Sequence, residues 1–134
     1  MNARRVSFVV ILVALLGATL ACGGSVSTAN VADAWMSTDE EGNNRTTVFA
    51  QDADFFAQAD LKNAPDDTSL KAVWTAVDVQ DTDPGLVINE TEFATGSGLV
   101  HFTLSNDSLW PTGTYKVEIY LAGELVKTLD FSVQ

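Results

Sequence analysis

Along residues 31–134 the apolar positions alternate with polar ones over short runs, and no stretch carries a helical stripe through three turns. The clearest case is near the end. Tyr115, Val117, Ile119 and Leu121 share one side of an extended segment, with Lys116 and Glu118 on the other. Leu125, Leu129, Phe131 and Val133 repeat the pattern, opposed by Thr128, Asp130 and Ser132. The same reasoning predicts strands near Ala32–Ser37, Thr46–Ala50, Phe55–Leu61, Leu70–Val79, Leu86–Phe93, Leu99–Ser105, Thr114–Leu121 and Leu125–Val133. Turn-forming clusters separate them, at 41–44, 63–67, 81–85, 95–98 and 111–113. Seven or eight short strands at this spacing predict an all-β antiparallel sandwich.

Parity fixes the expected register of the last pair. Residues directly opposite in an antiparallel pair point to the same side, so odd positions face odd positions. Leu121 is then expected opposite Leu125, with Ala122-Gly123-Glu124 as a three-residue loop.

Residues 1–30 have a different character. Arg4 and Arg5 precede an uncharged run, Val6–Ala21, which is the layout of a secretory signal. Its 16 residues would rise about 24 Å as a helix, less than the ~30 Å hydrocarbon core of a bilayer. Gly23–Asn30 is small and polar and reads as a flexible tether. The expected organisation is therefore a signal segment over 1–21, an anchor and tether over 22–30, and one domain over 31–134. The 104 residues of that domain suffice for a core without disulfides.

Thr19-Leu20-Ala21-Cys22 resembles the lipobox of bacterial lipoproteins, in which small or apolar residues precede a cysteine; Thr19 stands where leucine is usual. The resemblance implies cleavage before Cys22, a diacylglyceryl thioether and an acyl chain such as palmitate on that residue, and a domain facing outside the cytoplasm. The membrane would be the cell membrane or an outer membrane. Two or more acyl chains hold a protein on a bilayer where one holds it marginally.

A second resemblance lies in Leu109-Trp110-Pro111-Thr112-Gly113-Thr114-Tyr115-Lys116-Val117. This Leu-x-Pro-x-x-x-Tyr-x-Val spacing is similar to the E–F corner of fibronectin type III and related immunoglobulin-like domains, in which the tyrosine hydroxyl bonds back to upstream backbone. It implies that Tyr115 is the corner tyrosine and that Trp74 is the buried sandwich tryptophan. The fold hosts many unrelated functions, so it implies no ligand.

Charge narrows the partners. The chain carries 18 acidic and 7 basic residues, a net charge of −11, and loss of Arg4 and Arg5 would make it −13. Such a surface repels phosphate backbones, so no nucleic-acid partner is expected. Only one histidine, His101, and one cysteine are present, which excludes an internal disulfide and leaves no imidazole cluster for zinc or copper. His101 alternates with Val100 and Phe102 and is expected to face outward from a strand. With no base beside a nucleophile, no enzyme is expected.

Two sets of residues remain as binding candidates. Asp78, Asp81 and Asp83 cluster before Pro84-Gly85 and could offer oxygens to calcium, although the EF-hand register is absent. Trp35, Trp110 and Tyr120 stand outside the committed core positions, where aromatics anchor a protein partner or stack on a glycan. The leading expectation is a membrane-tethered binding or assembly module for a protein or glycan. The alternatives are a proteinase-inhibitor-like module, or an adhesion module stabilised by calcium.

Overall fold

The computed structural model describes residues 28–134, so the signal segment, the lipobox, Cys22 and most of the tether lie outside the described residues. Eight strands follow in order: β1 (Asn30–Ser37), β2 (Val48–Phe49), β3 (Phe55–Lys62), β4 (Thr68–Val79), β5 (Leu86–Thr95), β6 (Gly98–Leu104), β7 (Gly113–Leu121) and β8 (Glu124–Val133). They form a three-stranded sheet, β1-β3-β6, packed on a five-stranded sheet, β2-β8-β7-β4-β5. All pairings are antiparallel except β2 with β8, which run parallel. The expected all-β sandwich is the observed fold.

Alternation explains the layers. From β3, Phe55, Ala57, Ala59 and Leu61 point inward and are fully buried. From β4 come Leu70, Ala72, Trp74 and Ala76, and from β7 Tyr115, Val117, Ile119 and Leu121. At the centre Phe55 stacks on Trp110, with ring centroids 4.6 Å apart, and meets Phe49 and Phe131 edge-on at 5.0 and 4.9 Å. Edge and offset contacts of this kind add about 0.5–1.5 kcal/mol per pair beyond burial.

The last hairpin obeys the expected parity over most of its length and departs from it at the tip. Val117 faces Leu129 and Tyr115 faces Phe131, in the register the alternation demands. Between Ile119 and Tyr120 the register shifts by one, so Tyr120 faces Leu125 and Leu121 faces Glu124. The loop is therefore Ala122-Gly123 alone, not three residues, with φ of 50° and 85°. Both central residues have φ > 0, the condition of the tight turn whose twist matches its strands. Val126 is the extra residue of the resulting bulge. The shift also moves Leu125 off the inward face expected for it, leaving it 47% exposed.

A second bulge lies in β4 between Ala76 and Asp78. It puts Val77 on the surface and returns Val79 to the core. A third displaces Ile88 in β5, because Trp74 faces Asn89 while Thr75 faces Val87.

Candidate functional site

Tyr115 and Trp74 take the places implied for them. The Tyr115 hydroxyl donates to the Pro111 carbonyl at 2.6 Å, closing the corner that leads into β7. Burial raises the phenol pKa above its ordinary value. Trp74 is buried between the sheets, 6.3 Å from the Phe55 ring centroid.

Trp110 corrects the expectation of an exposed anchor. It is 5% exposed, its Nε1 donates to the Ala53 carbonyl at 2.9 Å, and its backbone N–H donates to Gln51 O at 2.8 Å. The Gln51 amide donates in return to the Trp110 carbonyl, at 2.9 Å. Trp110 therefore pins the loop between β6 and β7 to the segment before β3, and only a small part of it is exposed, at the wall of an apolar cleft.

Trp35 and Tyr120 are half-buried, on opposite sheets, and each carries a cation of the same chain. The Arg45 guanidinium lies 3.8 Å from the Trp35 ring centroid and also pairs with Asp33 at 3.5 Å. Lys71 stands 4.7 Å over Tyr120 and 3.4 Å from Glu90. One ring face of each aromatic is thus occupied. Trp35 and Arg45 border an open groove of about 560 Å³ with Ala34, Thr47, Leu129 and Asp130.

The three aspartates are not gathered around a common point. Asp78 is on β4 opposite Thr114, Asp81 sits in the following turn with φ of 56°, and Asp83 accepts at its carbonyl from Leu86 N–H. Among the described residues, no three His, Cys, Asp or Glu side chains group to hold a metal ion. His101 points to the outer side of the three-stranded sheet. Its Nε2 is 3.4 Å from Glu40 Oε1, and its ring meets Phe56 edge-on.

Two features were not foreseen from the sequence. The first is on that outer face, where Trp35, Gln58 and His101 lie abreast across β1, β3 and β6. Residues 38–44 fold back over this row, and Gln58 is completely buried beneath them. Its amide nitrogen donates to Ser37 Oγ, Asp39 O and Glu40 O at 3.2, 3.3 and 3.0 Å, while its Oε1 has no partner. Trp35 Nε1 donates to Gly42 O at 2.9 Å. The Asp39 carboxylate accepts from the backbone N–H groups of Asn44 and Asn43, at 2.8 and 2.9 Å. Those two bonds hold its pKa below the ordinary 3.8.

The second is the start of β5, an edge strand paired only with β4. Leu86, Val87 and Ile88 are 50%, 53% and 37% exposed. Beside them is a small apolar cleft of about 150 Å³, walled by Leu86, Ile88, Ala76, Val79, Trp110 and Tyr115. The signal was legible in principle. The positions of β5 that share the inner side with Phe93 are Thr91 and Asn89, polar where a covered strand would be apolar.

Comparison with known proteins agrees on the architecture. An immunoglobulin-like protein from Pseudomonas aeruginosa superposes with a TM-score of 0.51 at 15% identity, over 82% of this chain and 99% of its own. A β-glucosidase from Listeria innocua matches with a TM-score of 0.51 at 13% identity, over 79% of this chain but only 16% of the enzyme. No family model matches the sequence, and no curated protein matches it. At such identities the likeness shows the fold alone, and the fold is immunoglobulin-like.

Proposed function

We propose that this chain is a lipid-anchored extracytoplasmic protein whose immunoglobulin-like domain serves as a binding or assembly module for a protein or glycan. The observation that carries the anchor is Thr19-Leu20-Ala21-Cys22, placed directly after a basic start and an uncharged apolar run. The lone cysteine of the chain falls where that motif requires it. A small polar stretch follows, and β1 begins at Asn30, close behind it. The domain is therefore held near the bilayer by its tether, since a net charge of −13 is repelled by anionic lipid heads.

A binding role is supported by the surfaces the sandwich leaves open. The groove beside Trp35 and Arg45 and the apolar start of β5 are accessible, whereas the aromatic centre is closed. Open, partly apolar surfaces of this kind are where partners dock, which supports the binding role.

Two measurements test the reading. Growth with radiolabelled palmitate in a bacterial host should label the full chain and leave the Cys22→Ala variant unlabelled; equal labelling of both would overturn the anchor. Crosslinking of the membrane-held chain should recover a partner, and recovery of none above background would overturn the module.

A further inference from the structure

We propose that the free edge of β5 takes an extended segment of a protein partner that alternates apolar and basic side chains. The inference rests on the reading of the domain as a binding module and names the edge and the partner's chemistry. Its first support is backbone geometry. The β5 strand pairs with β4 on one side only, so beyond Leu86, whose N–H is held by Asp83 O, its other side is open to an incoming strand. At the opposite edge of the same sheet, β2 contributes two residues and offers almost no ladder.

The second support is the side chains. An edge exposed to water is normally blunted by charge or proline; Glu90 and Glu92 do this in the second half of β5, yet at its start Leu86, Val87 and Ile88 stand exposed in sequence. The bulge at Ile88 sets Leu86 and Ile88 at the mouth of the 150 Å³ cleft. That volume suits one medium apolar side chain. Main-chain bonds along the edge with a pocket for an alternate side chain are the two components of recognition by strand addition.

Charge selects the occupant. Thr82, which lines the cleft, lies between Asp81 and Asp83; Asn106, which also lines it, is followed by Asp107. Asp81, Asp83 and Asp107 take part in none of the ion pairs among the described residues. Acids around an apolar mouth favour a basic partner through long-range attraction and complementarity at the rim. A second copy of this chain is disfavoured, because pairing β5 with β5 would bring Glu90 and Glu92 of two strongly acidic chains to one ladder.

The test uses the full chain in detergent with a decapeptide alternating valine and lysine, and a control in which glutamate replaces lysine. The lysine peptide should slow amide exchange in 86–95 above all other segments. Ile88→Lys, at an exposed position, should weaken binding roughly tenfold. Asp81→Asn with Asp83→Asn should weaken it about threefold and reduce its salt dependence. Unchanged melting temperatures will confirm that these variants fold. Equal binding of the glutamate peptide, or slowed exchange confined to other strands, would overturn the proposal. So would concentration-dependent protection of β5 in the chain alone, which would assign the edge to a second copy.

A photo-crosslinking residue placed at Val87 or at Val48 in the membrane-held chain separates this proposal from the broader reading. Crosslinks from Val87 to a different protein, in a segment rich in lysine or arginine, support both. Crosslinks from Val48 and none from Val87 overturn the β5 assignment and leave the module intact. Crosslinks from neither position count against both.

Discussion

A β-carbon built on Gly42 would come within 2.9 Å of both Cγ and Cδ of Gln58. The glycine also has φ of 76°, a conformation that side-chain-bearing residues rarely adopt. Residues 38–44 can therefore lie flat on the three-stranded sheet only because position 42 has no side chain. Contact this close lets the loop carbonyls reach the buried Gln58 amide.

Gly42→Ala is expected to cost about 2–4 kcal/mol, the sum of overpacking and a left-handed backbone. Gln58→Leu should cost about 1–3 kcal/mol, since it leaves the Glu40 carbonyl without its donor and the Asp39 carbonyl with only Ser37 Oγ and the Gly42 N–H. Because both changes lift the same loop, the double variant should be less destabilised than the sum of the two by roughly 1 kcal/mol or more. Urea unfolding of the four proteins decides it, and strict additivity would contradict a shared contact.

The same loop carries an acid-sensitive contact. Backbone N–H groups of Asn44 and Asn43 lower the pKa of Asp39 in the folded chain below its unfolded value near 3.8. A group depressed in this way contributes stability that is fully present above the unfolded value and is lost as pH falls through the folded one. Asp39→Asn should thus melt below the parent at pH 6, and the gap should close as pH falls from about 4 towards 2. A gap of constant size through that range would show that the carboxylate charge is not the cause.

Tyr115→Phe removes the donor to Pro111 O and leaves that carbonyl to find water. The expected loss is about 1–2 kcal/mol. It should also change the alkaline limb. Burial raises the folded pKa of Tyr115 above the unfolded value of 10.0, so folding disfavours the phenolate and stability falls as pH rises beyond 10. The phenylalanine variant should lose less stability than the parent between pH 9 and 11. Parallel curves would remove Tyr115 as the source of the alkaline fall.

Short alternating runs between regularly spaced turns placed the all-β sandwich, and the resemblance of Leu109–Val117 to an E–F corner implied the places of Tyr115 and Trp74. Both depend on local period and on short-range spacing, which a sequence displays directly. Trp110 was misjudged because it stands alone beside a proline, outside any periodic run, and its burial depends on Gln51 and Ala53 far away in the chain. Gln58 was hidden for the opposite reason. It falls on the outward side of a regular strand, where a polar residue signals solvent, and only the loop folded above it makes that position interior. The candidate edge at β5 follows from which strand ends the sheet, a property of strand order that local pattern does not encode.

The hairpin tip supplies the last prediction. Ala122 holds φ of 50°, in the left-handed region, with Gly123 beside it at 85°. Alanine has no side-chain group to stabilise that conformation, whereas asparagine tolerates it and Asn-Gly is the preferred pair for this turn. The Ala122 side chain is exposed, so a larger residue meets no packing constraint. The Ala122 N–H bond to Ser69 O is a backbone contact that the substitution keeps. Ala122→Asn should therefore stabilise the domain by about 0.5–1 kcal/mol, raising Tm by roughly 2–6 °C. The bulge at Val126 is part of the same relationship. A two-residue turn reverses the parity of the strand pair, and one extra residue restores it before Val117 meets Leu129. Deleting Val126 should shift every pairing from Ile119 to Gly113 and turn Phe131 and Val133 away from the core, costing far more than the turn gains. A calorimetric scan in which Ala122→Asn lowers Tm, or in which the deletion leaves it unchanged, would contradict this account of the hairpin.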